Sequence, residues 1–317
     1  MRLHRVSSEC FHKPGTGMSQ DEDICYEERD GIAIVTLNRP AKKNALTDQM
    51  VDGVANSVDA ATANPDVAAI VLRGAGDTLT AGYDLNADYS GTLPPEEWTT
   101  PYGGPREGSR DGAWDPVSDY QFMQHNVRRF MRLWECPKPV LAEVKGWAVG
   151  GATDLILCAD QLYMASDAHI GYAPSRVYGV PTTMMWVHRL GLEHAKQFLL
   201  TGRAIDAATA HRIGLVAHVC EPAELAATIE ADARRFIHIP ANQLALNKML
   251  INQAYENMGL RSSQMLGTVL DGIARHTQEA LDWRATMERE GVRRAVAERD
   301  GPWQDYGQKP PAADADQ

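Results

Sequence analysis

The stretch from Pro139 to Asp160, PVLAEVKGWAVGGATDLILCAD, constrains this chain more than any other. Pro139 to Val149 is short, apolar and rich in valine, which predicts a buried strand. Gly150 and Gly151 interrupt that run, and Ala152 to Ala159 has the composition of a short buried helix. Glycines between a strand and a helix let a ligand lie directly against backbone. The first turn of the helix adds unpaired N–H groups and the positive end of its dipole. Together these are the parts from which an oxyanion-binding site is made. Asp154 lies three residues beyond Gly151, near the same mouth. Its plainer role is to answer the helix dipole; its chemical role is to carry a proton.

A chain of 317 residues with 44% hydrophobic content can bury a large core, as one big domain or as one domain with an appendage. Its formal charge of −11 argues against a general binder of nucleic acid or of anionic membranes, although a local basic patch can still hold an anionic ligand. The five cysteines, Cys10, Cys25, Cys136, Cys158 and Cys220, are scattered and contain no C-x-x-C pair. This pattern predicts reduced thiols in a cytoplasmic protein, with no disulfide framework and no zinc site. No apolar run reaches membrane-spanning length.

Residues 1–22 read as a disordered tail without the apolar segment of a secretory signal, and Met18 offers a second candidate start. A core is expected over 23–221. Ile24–Glu28 and Gly31–Leu37 predict a hairpin turning at Arg29-Asp30-Gly31. The loop NRPAKKNAL (38–46) precedes a helix capped by Thr47, with Met50, Val51, Val54 and Val58 as its apolar stripe. Val67–Leu72 is a strand, and LTAGYDL (79–85) opens a second small-residue mouth. Residues 86–116 form an insert rich in glycine, proline and aromatics, which suits a lid or a surface loop. His125 lies on or beside the inner face of a helix over 121–134. Further strands are expected at 161–165, 168–172 and 215–220, with a helix opened by Pro181 and others at 192–200 and 206–212. Residues 222–300 read as helical and 301–317 as a polar, frayed tail.

Four segments, NRPAKKNAL, LTAGYDL, KPVLAEVKGWAVGGATDLILCAD and TGRAIDAATAHRIGLVAHV, stand in the order and spacing of the enoyl-CoA hydratase/isomerase (crotonase) superfamily, which this chain resembles over roughly 24–275. The resemblance implies an α/β fold: a spiral of ββα units, two nearly perpendicular sheets, and a C-terminal helical region that builds homotrimers, often paired into hexamers. It implies an acyl-CoA thioester as substrate, with coenzyme A entering only as part of it and no permanent cofactor. The thioester carbonyl would sit between the backbone N–H groups of Tyr83 and Gly151, beside Gly150. Contacts to coenzyme A would fall on Ala45, Leu46, Ala81, Gly82, Asp84, Leu85 and Lys248, with Lys42 and Lys43 near the phosphates.

The departures from the family pattern bear most on the reaction. Hydratases of the family work two glutamates across one water. The first position holds Asp154, which shortens the reach by about 1.5 Å, one C–C bond. The second holds Pro174, whose side chain has neither a proton nor an acceptor. Tyr172 and Tyr178 flank that position, and His169, Ser175, Arg176, Thr182 and His125 are further candidates to complete the site. Three readings stay open: an acyl-CoA lyase or isomerase with Asp154 as its one clear acid/base, a C–C bond hydrolase of a cyclic diketone or cyclic acyl-CoA, and a coenzyme A-binding protein without catalysis.

Overall fold

A computed structural model describes residues 23–85 and 116–306. The expected terminal tail over 1–22, almost all of the insert and residues 307–317 lie outside the described residues. Strand β1 (Ile24–Arg29) turns through Asp30 and Gly31 into β2 (Ile32–Leu37). Both turn residues have φ near +50 to +75°, the backbone of a two-residue hairpin whose twist matches its strands. Helix α1 (Asp48–Ala63) follows; the Thr47 hydroxyl accepts from the Met50 amide, and Met50, Val51, Val54 and Val58 are buried as the pattern predicts.

Strand β3 (Ala69–Gly74), helix α2 (Pro116–Glu135) and strand β4 (Val140–Val144) come next. The expected single strand over 139–149 is in fact two. Gly146, at φ 55°, turns the chain out of β4 into β5 (Trp147–Val149), and a Cβ there would lie 2.2 Å from the Asp77 carbonyl. A hydrophobic run carries no mark of such a change of sheet; only the glycine does. Helix α3 (Gly151–Ile156), β6 (Gln161–Ala165) and β7 (His169–Gly171) complete the centre.

Helix α4 (Met185–Leu199) joins into one element what reads in the sequence as two, bending at Gly191, while Pro181 to Met184 form its approach. Then come β8 (Ile205–Asp206), α5 (Ala207–Arg212), β9 (His218–Cys220) and the helices α6 (Leu225–Arg235), α7 (Ala241–Asn257), α8 (Leu260–Ala274), α9 (Gln278–Glu290) and α10 (Val292–Asp300).

One sheet has the order β1-β2-β3-β4-β6-β9, parallel except for the first hairpin; the other is β5-β7-β8. Runs such as Ala69–Leu72 and Val140–Val144 are buried along their whole length, as strands of a parallel sheet covered on both faces must be. The tail expected to fray from 301 is held as far as Tyr306. Arg176 is sandwiched by carboxylates from Asp300 and Asp305, and the Tyr306 hydroxyl donates to the Gly202 carbonyl at 2.7 Å. Among the described residues, no helix is long and apolar enough to cross a membrane, and no group of three His, Cys, Asp or Glu side chains could hold a metal ion.

Candidate active site

The loop after β3 is laid along β5 by backbone bonds. Leu79 donates to the Lys145 carbonyl and Thr80 to that of Trp147. This brings Gly82, at φ 93°, against the glycine turn: a Cβ built on it would lie 2.5 Å from the Val149 carbonyl and 3.5 Å from the Gly151 nitrogen. No residue but glycine fits there. Leu46 donates to the Gly82 carbonyl and accepts from the Asp84 amide, so the backbone of Tyr83 between them faces the other way, towards α3. The Tyr83 ring covers Gly151 so closely that a Cβ on Gly151 would meet it at 2.5 Å.

The NRPAKKNAL loop is fixed beside this mouth from within. Asn44, left-handed and fully buried, accepts from the Arg39 amide and donates to the carbonyls of Ala75 and Thr78. Asn tolerates this backbone region better than most residues. The Arg39 guanidinium bonds the Ala45 carbonyl at 2.7 Å and the buried Asp84 carboxylate at 3.1 Å. Ala81 and Leu85 are exposed, Ala45 is half-buried, and Lys42 and Lys43 are exposed alongside. Leu46 is fully buried, so it shapes this rim from behind through its backbone.

At the turn itself Gly150 has φ 59°, and its amide donates to the Gly171 carbonyl. Its carbonyl accepts from the Thr153 amide and hydroxyl. Gly151 begins α3, where an amide has no intrahelical acceptor. Asp154 stands one turn further on, buried with 2% of its surface exposed. Its Oδ1 accepts from the Thr183 amide at 3.0 Å and the Thr183 hydroxyl at 2.8 Å. Burial nonetheless outweighs those bonds, and the Asp154 pKa is pushed up to about 7, with Asp271 adding to the rise. A carboxyl poised there exchanges its proton near neutral pH.

The opposite wall carries Pro174, where the resemblance leads one to expect the family's second glutamate. Pro174 packs on the glycine turn, its Cγ 3.2 Å from where a Gly150 Cβ would be. Tyr172, at the end of β7, is buried near Asp154, Asp271 and Tyr83. Other candidates are committed elsewhere. Arg176 holds the chain end, His169 stacks on Trp147 at 4.7 Å, and Tyr178 meets Trp283 edge-on. His125 sits half-buried within α2.

Lys248 requires a correction. It lies buried on α7, and its ammonium donates to the carbonyls of Leu133 and Lys138 and to Asp160 Oδ2 at 2.7 Å. All three donors are taken, so it has none to offer a phosphate. A lysine in a polar-looking helical stretch reads as exposed until its partners, some 90 to 115 residues away, are known.

Three side chains that build the site escape a sequence reading. Thr183 holds Asp154, while Gln264 of α8 donates to the Thr183 carbonyl at 3.0 Å. Asp271 of α8 accepts from the Val180 amide and pairs with Arg275, which also bonds Asp119 of α2. The available signals were a Thr-Thr pair after Pro181 and an acid within the apolar run GTVLDGIA.

The enoyl-CoA hydratase/isomerase family model matches residues 27–101 and 112–305. An enoyl-CoA hydratase structure from Mycobacterium smegmatis has 39% identity and a TM-score of 0.81, covering 92% of this chain and 97% of its own. A putative enoyl-CoA hydratase from Thermus thermophilus is 29% identical over 252 residues, 79% of this chain and 91% of the relative. The crotonyl-CoA hydratase of Syntrophomonas wolfei is 28% identical over 74% of this chain and 83% of its own length. A match across most of its length places the chain in the enoyl-CoA hydratase/isomerase family.

Proposed function

We propose that this protein processes an acyl-CoA thioester through an enolate, as a lyase or isomerase with one carboxyl for proton transfer. The amides of Tyr83 and Gly151 hold the thioester oxygen as negative charge develops on it. Asp154 takes or returns the proton at the carbons beyond. The observation that carries this reading is the Asp154 carboxyl, buried one turn inside a helix that opens at the glycine mouth, with a pKa of about 7. The rim formed by Ala45, Ala81 and Leu85 would take the coenzyme A portion, with Lys42 and Lys43 near its phosphates. Lys248 has no part in it.

Pro174 cannot orient or deprotonate a water, so syn hydration by two carboxylates is not what this site supports. Crotonyl-CoA hydration is therefore expected to be slow or absent, while larger enoyl-CoAs are tested for shift of the double bond. The experiment follows double-bond position and water addition for a series of enoyl-CoAs, with wild type and Asp154→Asn side by side. Rapid crotonyl-CoA hydration that survives in Asp154→Asn would refute the reading.

The homotrimer, single or paired into a hexamer, belongs to the same proposal. Met249, Leu250 and Ile251 of α7 and Met265 and Leu266 of α8 are each more than half exposed. Apolar surface gathered on two adjacent helices favours association with other copies. Sedimentation at micromolar concentration tests this; a monomer would count against it.

A further inference from the structure

The wall that lost its glutamate still carries a polar group that the one-carboxyl reading leaves unused. Tyr172 has only 5% of its surface exposed, and the charges that act on its hydroxyl do so at a distance, with no hydrogen bond to it among the described residues. A tyrosine whose ring is buried at the wall of a site while its hydroxyl meets no acceptor of the fold is placed to meet a ligand. Gly179, whose φ of 127° suits glycine, lies beside it. A Cβ built on Gly179 would lie 3.6 Å from the Tyr172 oxygen and 2.6 Å from Pro174 Cβ. Laid end to end, those distances put the phenol oxygen within about 6 Å of the carbon from which a glutamate would extend. A glutamate carboxyl reaches about 3 to 4 Å beyond its Cβ, into the same zone. Pro174 also touches the glycine turn, so this zone adjoins the amide of Gly151.

We infer that Tyr172 is a specificity-determining residue: its phenol donates a hydrogen bond to an oxygen carried on the acyl chain, in the space the missing carboxylate would have used. The inference rests on the thioester reading above. A carboxylate at that position would accept hydrogen bonds and favour a water. A phenol in the neutral form donates, and so favours an acceptor oxygen fixed to the substrate. Burial, with the carboxyls of Asp154 and Asp271 nearby, holds the phenol protonated far above neutral pH, with Arg275 the opposing cation. The work is thereby divided. Asp154 exchanges a proton, and Tyr172 selects and orients without exchanging one.

The test measures dissociation constants of 3-hydroxybutyryl-CoA and butyryl-CoA by calorimetry, for the full chain and for Tyr172→Phe. Wild type is expected to bind the hydroxylated thioester about 10-fold more tightly. Tyr172→Phe should bind butyryl-CoA as wild type does and lose most of that preference. Since the hydroxyl bonds no described residue, the variant should unfold at nearly the wild-type temperature. Preference retained in Tyr172→Phe overturns the inference. So does a wild-type ratio under about threefold, which needs no variant and decides the matter if Tyr172→Phe proves unstable. If wild type binds neither thioester, the thioester reading fails as well, a result distinct from equal binding of both.

Discussion

The two walls of the site are made of different materials. One is backbone: Gly82, Gly150 and Gly151 bring two chain segments so close that a single added carbon would meet an atom at 2.5 Å on Gly82 or Gly151. The other is side chain: Thr183, Pro174, Tyr172 and, reaching in from α8, Gln264 and Asp271. On the proposed reading the backbone wall would hold any thioester oxygen, because amides do not distinguish acyl groups. The side-chain wall decides what happens beyond that oxygen. A fold can therefore keep the first wall and vary its chemistry by changing the second, and on the proposed reading Pro174 is such a change.

The largest effect should come from the residue that joins the two walls. Asp154→Asn leaves Oδ1 to accept both Thr183 bonds but removes the titrating proton. Turnover is expected to fall about 10²–10⁴-fold with coenzyme A binding preserved. Unchanged kcat would leave Asp154 as a helix cap and nothing more. In wild type, a reaction in which Asp154 is the base should gain kcat/KM as pH rises through about 7, and that limb should be absent in the variant.

Gly151→Pro attacks the backbone wall. Proline is tolerated at the first helical position, so α3 should form, but the donor is lost and the ring of Tyr83 must move from its 2.5 Å contact. One lost oxyanion donor costs about 10²–10³-fold in kcat. Circular dichroism checks that the fold is kept; a folded variant with full turnover would show that this amide holds no charge.

Much of the backbone wall was legible because it is local. Gly150-Gly151, the helix behind them and Asp154 lie within seven residues, and the hairpin at Asp30-Gly31 and the stripe of α1 are short-range as well. The side-chain wall was not, since Gln264 meets Thr183 across 81 positions and Asp271 meets Val180 across 91. The same distance in sequence hid the burial of Lys248 behind Asp160. Gly146 shows an intermediate case: the residue was visible, but its contact with Asp77 was needed to see two strands in place of one.

A smaller change sharpens the comparison. Thr183→Val removes one of the two bonds that favour ionised Asp154 while keeping the shape of the wall. The Asp154 pKa should climb above 7, moving the base limb of the pH profile to higher pH. At pH 7 the loss should be several-fold, recovering as pH rises. An unmoved profile would mean that the Thr183 amide alone sets the carboxyl.

The last expected effect is on stability rather than turnover, and its sign opposes intuition about a buried acid with hydrogen bonds. Asp154 has a pKa of about 7 when folded and an ordinary value near 3.8 when unfolded. Between those values the folded protein holds a proton that the unfolded chain has released. Stability from this group is therefore full at about pH 4, falls as pH rises to about 7, and stays low above it. At about 1.4 kcal/mol per pKa unit the whole span is at most of order 4 kcal/mol. Asp154→Asn cannot ionise and has no such slope. Measured against wild type, its unfolding temperature should improve from pH 5 to about pH 7 and then hold level to pH 8. A gap that stays constant with pH, or that narrows in the opposite direction, would show that burial does not hold this carboxyl near neutrality, and the proton-transfer assignment would lose its physical basis.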